Sequence, residues 1–401
     1  ISGANLCLTI AVTGPAGILS DAIKVFKSID LKVLVFTVGL LLILLLIIYR
    51  SPILAIVPLL IIGSALFMAQ SLAALIAHNF DLPFNGQITA IMSILVFGAG
   101  TDYALFIISR YREELVTTND TWQAMSATMS KIGPSIAGSA GTTIVAMFAL
   151  TFASFGSFRS LGPMLAMAIL VVLLVGLFVM PGVITIFGKW AFWPRPLIQQ
   201  NYISDGGFWS ATGRLVSRKP GIIFGVTFVG ILLATIPSWS LVPSFNWIDG
   251  FPDDVESKVG YQVLSKNFPP GQLAPTELII TSNETNIVDA FDELEGLSAE
   301  IEELDGISSV SGLTRPFGFP ITRELAMSQG GARFLSVDGT TTRMEVILED
   351  DPYSRTALSM VESIRETIAS NDISSEKSFT VLVGGESAIQ LDTKKSIDSD
   401  I

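Results

Sequence analysis

Six apolar runs leave this chain few folds to choose from: residues 31–49, 52–77, 88–108, 132–155, 161–187 and 221–237. A helix rises 1.5 Å per residue, so about 20 residues cross the roughly 30 Å of a bilayer's hydrocarbon core. Lipid offers the backbone no hydrogen bonds, and a helix satisfies its own. The expected fold is therefore an α-helical transmembrane bundle of six spans, the last one short. Half of the residues are hydrophobic, 15% are charged and the mean hydropathy is +0.59, which excludes an ordinary soluble enzyme.

Charge divides the chain in two. Residues 1–237 hold 13 Lys and Arg against 8 Asp and Glu, a net of +5, whereas residues 238–401 hold 11 against 28, a net of −17. The second part is expected to be a separate, acidic, water-exposed domain. Cys7 is the single cysteine and forms no internal disulfide, so it leaves the redox compartment open.

The third run carries one carboxylate, Asp102, eight residues or about 12 Å of helix inside Arg110. A central Asp costs roughly 2.5–3.5 kcal/mol to insert, so such acids face the bundle interior or a water-filled cavity and carry function. The phenol of Tyr103 can give or take one hydrogen bond beside it. Gly98 lies one turn earlier on the same face, and Gly98 and Gly100 leave room for a partner helix. No other Asp, Glu, Lys or Arg lies deep in the six runs. Asp102 must then pair with hydroxyls, water or a group outside this chain.

Gly98-Ala99-Gly100-Thr101-Asp102-Tyr103, with Arg110-Tyr111-Arg112-Glu113-Glu114 at the helix exit, resembles the signature of the mycobacterial membrane protein large (MmpL) transporters, proton-driven exporters of the resistance-nodulation-division superfamily. The resemblance extends to Phe192-Trp193-Pro194 after the fifth run, to Asn267-Phe268-Pro269-Pro270-Gly271 and to Asp351-Pro352-Tyr353-Ser354. It implies a proton relay at Asp102 and Tyr103, a multi-pass bacterial cytoplasmic membrane protein, and a cargo of lipids or other hydrophobic or amphipathic compounds. It also implies an equivalent Asp-Tyr pair in a second half of the parent protein. No catalytic residue, metal site, cofactor or nucleic-acid partner is expected: the sequence holds no P-loop, metal-ligand cluster or nucleophile-base pair.

The positive-inside rule orients the bundle. The loop at 78–86 lacks Lys and Arg, whereas Arg50, Arg110, Arg112, Lys131, Lys189, Arg195, Arg214, Arg218 and Lys219 mark the other side as cytoplasmic. Residues 1–30 and 238–401 then lie outside, 1–30 as the end of a first extracytoplasmic domain. Residues 31–187 form five spans, 188–219 a cytoplasmic linker and 220–237 the sixth span. Trp122, Met125 and Met129 suggest a short interfacial helix over 119–132 or packing against neighbouring spans. On the fourth span Ser135, Ser139, Thr142 and Thr143 share a face with Gly138 and Gly141. That face serves close helix packing, or, on the functional reading, lies against Asp102 and helps conduct protons.

From residue 238 strand-like and helix-like segments alternate: 277–281, 287–304 and 306–311, then 343–348, 354–369 and 379–383. Two β-α-β units of this kind predict a ferredoxin-like α/β domain. Residues 12–21 also align with 383–392 at a constant offset of 371, with Val, Gly and Asp coinciding. The expectation is a duplicated parent of which this chain covers about one period.

Two other functions fit parts of the pattern. Gly98-Ala99-Gly100-Thr101-Asp102 approaches the Gly-x-Gly-Asp element of intramembrane aspartyl proteases but misses by one residue, and that chemistry needs paired carboxylates. A non-transporting receptor or assembly factor could share the fold, since fold does not fix function.

Overall fold

The computed structural model describes residues 10–118, 120–194, 208–237, 247–282, 286–371 and 379–400. Helices α1 (Pro15–Tyr49), α2 (Pro52–Phe80), α3 (Gly86–Thr118) and α4 (Thr121–Ala149) are followed by α5 (Gly156–Leu174). A π-helical turn, Val175–Val179, continues α5 into α6 (Met180–Phe187), so one span contains both. Among the described residues, five helices are long and apolar enough to cross a membrane. The predicted sixth span is α8 (Pro220–Thr235), set at 101° to the preceding amphipathic α7 (Phe208–Arg218).

Small residues bring the central spans together. Ala65, Ala69, Ala73 and Ala77 recur every fourth residue along the buried face of α2, and Gly100 of α3 lies against Ile62 of α2. A Cβ on Gly100 would stand 2.8 Å from Ile62 Cγ1, so the approach excludes a larger side chain. Within lipid such close contact replaces the hydrophobic driving force that water would supply. The spans α2, α3 and α5 form the packed centre.

One expectation needs correction. The interfacial helix over 119–132 is not separate: the chain runs as one helix from Thr121 to Ala149, capped by the Asp120 carboxylate, which accepts from the Trp122 and Gln123 amides at 2.8 and 3.0 Å. Pro134 sits inside it, removing one backbone donor without stopping it. The first span keeps its expected place, with an apolar window of Lys32–Tyr49, while the helix that carries it, α1, is continuous from Pro15, where Gly14 turns the chain at φ +85°.

After α9 (Glu256–Asn267) comes a four-stranded antiparallel sheet of β1 (Thr276–Ser282), β2 (Ile307–Ser311), β3 (Thr341–Leu348) and β4 (Phe379–Gly384), in the order β2-β3-β1-β4. Helix α10 (Phe291–Glu302) connects β1 to β2, and α12 (Arg355–Ser370) connects β3 to β4, with the short α11 (Arg323–Ser328) between. Period-two burial along β1 turns Leu278 and Ile280 toward Leu294, Leu297 and Ile301 of α10 and Ile364 of α12. The buried Arg315 guanidinium ties the loop after β2 to α10 through the Glu295 and Glu302 carboxylates. Those carboxylates, Glu295 foremost, raise the Arg315 pKa.

The top of α1 belongs to this α/β unit. Ile18 and Ala22 pack with Ile248, Phe251 and Tyr261, while Asp21 accepts from the Ser257 amide at 3.1 Å. The last helix, α13 (Glu386–Asp400), follows the left-handed Gly385, φ +93°, as α1 follows Gly14. Its Asp400 carboxylate accepts from the Ser154 and Phe155 amides at 2.6 and 2.9 Å, reaching the N-terminus of α5.

Candidate functional site

Asp102 and Tyr103 point in different directions because neighbours on a helix are about 100° apart. Ile94, Gly98, Asp102 and Phe106 recur at four-residue spacing as one exposed stripe of α3. Asp102 is therefore exposed on the flank of the helices described here, and Gly98 beside it has open space. Its carboxylate has no hydrogen-bond or ion-pair partner among the described residues. The neighbouring Thr101 hydroxyl is buried and donates within the helix, to the Phe97 carbonyl at 2.7 Å.

Tyr103 is turned inward and nearly enclosed, at 7% exposure. Its ring lies on the π-helical turn of the fifth span, where a Cβ on Gly176 would stand 3.1 Å from Tyr103 Cδ2. A π-turn inserts a residue into the helix and is common at functional positions. Here it places a glycine beneath the ring. No sequence reasoning singled out Gly176; a glycine within an apolar run was the available signal.

The hydroxyl face of α4 also looks outward. Ser135, Ser139 and Thr142 are exposed and Thr143 is half-buried. The Thr142 and Thr143 hydroxyls both donate to the Ser139 carbonyl, at 2.8 and 3.1 Å, and none of the four bonds Asp102.

At the end of α3, twelve residues from Asp102, Glu114 is 9% exposed and receives Arg110 of its own helix at 2.6 Å and Lys131 of α4 at 2.7 Å. These residues appeared in the sequence only as topology markers or motif members. The Glu114 bridge fastens α3 to α4. Beside it the Tyr111 ring stacks on Phe192, centroids 6.3 Å apart, and its buried hydroxyl has no partner among the described residues.

A multi-pass bundle with a titratable group on one span, joined to an α/β unit, defines a polytopic protein of the cytoplasmic membrane. The sequence profile of the MMPL family matches residues 4–223 and 249–401, and the chain belongs to that family. It is 34% identical to a putative membrane protein of Streptomyces coelicolor over 98% of this chain and 44% of that protein. It is 30% identical to the apo-petrobactin exporter of Bacillus anthracis, over 98% of this chain and 52% of the relative. Identity to the probable transport protein MmpL10 of Mycobacterium leprae is 33%, over 82% and 33% of the two chains. The chain spans about half the length, or less, of these relatives.

Proposed function

We propose that this chain forms one half of a proton-driven membrane exporter of the resistance-nodulation-division type, with Asp102 as the coupling carboxylate and Tyr103 as its hydrogen-bonding neighbour. The observation that carries this reading is the position of Asp102: a mid-span acid, exposed on the flank of its helices and without a partner among the described residues. Such a group is placed to meet a second half or an aqueous path, neutral in one conformation and charged in the other. The relatives named as a transport protein and as an exporter support export as the activity.

A proton entering down a membrane potential supplies about 2.3 kcal/mol per 100 mV, enough to bias a two-state bundle by tens-fold. Residues 1–30 and 238–401 lie on the outer side in this reading. The α/β unit, whose strand order and two β-α-β crossovers suit a ferredoxin-like assignment, works as a valve for a lipid or another hydrophobic or amphipathic cargo. The Ser135, Ser139, Thr142 and Thr143 face of α4 packs against the second half. The net charge of the outer part, −17, disfavours electrostatic capture of an anionic cargo.

The full-length protein in proteoliposomes tests this. Asp102→Asn, at matched insertion, is expected to abolish gradient-dependent efflux while leaving the helical content unchanged. Undiminished efflux would make Asp102 structural and return the receptor reading.

A further inference from the structure

Where α1 meets the α/β unit, the first turns of α1 and α13 and the start of β1 border a cavity of about 410 Å³ that the relay does not use. Small-molecule sites run from about 300 to 1,000 Å³, so it has room for a headgroup and a few carbons. Part of its wall is aromatic. Tyr261 of α9 and Tyr353, just before α12, stand with ring centroids 6.4 Å apart and planes tilted by 57°. The Tyr261 hydroxyl donates to the Asp351 carboxylate at 2.8 Å, which places an acid behind that ring. Glu277 of β1 and Glu386 of α13 add two carboxylates, and the described lining residues include no Lys, Arg or His. Glu277 is shared: Arg343 stands 3.7 Å away, too far for a hydrogen bond, while the same guanidinium bonds Glu345 at 2.6 Å. Glu386 has a neutral partner, the Gln390 amide, which donates to one of its oxygens at 3.0 Å. Most of the remaining wall is apolar, and Leu19 and Ile389, at 59% and 58% exposure, mark its open side.

We propose that this cavity binds the ammonium end of a cationic amphiphile, with Glu386 as its charge partner, Glu277 as the second carboxylate and the two tyrosine rings beside the cation. An ammonium is attracted both by a carboxylate and by the face of an aromatic ring within about 6 Å, whereas an anion is repelled by both. Helix N-termini by themselves suit anions, and two open here. Glu386, however, already stands in the first turn of α13, and α1 begins with Pro15, which has no N–H to offer. An uncharged apolar guest would strip water from the carboxylates and return nothing to them. The net charge of −17 on residues 238–401 raises the local concentration of a cation around the open side. The site can bind without any transport step; that its guest is cargo rests on the export proposed above.

Equilibrium dialysis of the full-length protein in phosphatidylcholine nanodiscs, corrected for empty nanodiscs, tests it with three tritiated probes of one chain length: hexyltrimethylammonium, hexanol and hexyl sulfate. The expected result is saturable binding of the ammonium at one site per chain, with the alcohol several-fold weaker and the sulfate unbound. Glu386→Gln keeps the shape and the contact with Gln390, and should weaken the ammonium by roughly ten-fold or more. Tyr353→Leu should weaken it by about two- to five-fold. Glu324→Gln, which removes the same charge from the exposed α11, should leave it unchanged. Equal affinity for ammonium and alcohol would reduce the cavity to an apolar hole. Preference for the sulfate would make it an anion site at two helix starts. An effect of Glu324→Gln as large as that of Glu386→Gln would assign the attraction to the whole acidic unit. No saturable binding of any probe would mean that protein fills the cavity. Each of these four outcomes overturns the proposal. No gradient is applied, so none bears on proton coupling; saturable binding without efflux in proteoliposomes would instead remove the export reading and leave the site.

Discussion

The α/β unit and the membrane bundle use their hydrophobic residues in opposite ways. In the α/β unit each strand and helix turns one face to a shared core and the other to water, so Leu297, Val346 and Ile364 are fully enclosed. In the bundle the apolar character runs all round each helix. The most hydropathic windows of α2 and α3 are 50% buried, those of α4 and α1 only 11% and 6%, and no residue of α8 is buried. Lipid and protein are equally apolar neighbours, so hydropathy places a helix in the membrane but does not say which side meets another helix. In the bundle that information resides in small residues and in the few polar ones.

The contrast is sharpest for leucine. Leu297→Ala in the α/β core is expected to cost about 3 kcal/mol, whereas Leu233→Ala on the open α8 should change stability by less than about 0.5 kcal/mol. Denaturation followed by proteolysis of the α/β unit measures the first, and thermal melting in detergent the second; equal costs would break the comparison. Gly176→Ala comes next, because it presses a methyl group on the Tyr103 ring. A loss of about 1–2 kcal/mol and slower efflux at unchanged expression are expected, and normal transport would show that the ring can give way.

Gly98→Leu probes the open flank. Nothing among the described residues lies within 4 Å of the added Cβ, so a cost of about 1 kcal/mol in the full-length protein, absent from the isolated half, would place the second half against this stripe. The smallest effect is a surface one. Arg365 grips Asp392 at 2.6 and 2.9 Å and holds its carboxyl below the usual carboxylate range. Because the folded-state value is the lower one, the stabilisation is present above the unfolded value near 3.9 and is lost as pH falls through the folded value. Solvent screening limits it to a few tenths of a kcal/mol. Melting curves from pH 5 to 2 should show a shallower acid decline in Asp392→Asn.

What could be read in advance follows from the same contrast. The strands at 276–282, 307–311, 341–348 and 379–384 were legible within about two residues, because water on one side and core on the other impose a period. The spans were legible as apolar length. The continuity of α4 was not, because Gly133-Pro134 reads as a break although the flanking residues continue the helix. The π-turn was hidden too, since Val175–Val179 is as apolar as its surroundings and the Tyr103 ring that lies against Gly176 comes from a distant stretch of the sequence. Asp102 was legible as an unusual residue but not as an exposed one: its chemistry lies in the sequence, while its direction depends on which face of α3 meets α2 and α5.

Helix α1 has 35 residues and no proline after its first turn, making a rod of about 52 Å. Its top packs through Ile18 and Ala22 with Ile248, Phe251 and Tyr261, and its foot packs among the spans through Leu45. One unbroken element therefore packs into both regions. A tilt of roughly 5° about one grip would sweep the far end by about 4–5 Å over that length. A rod packed at both ends would carry such a tilt from one region to the other, with a stroke set by the count of residues between its two contacts.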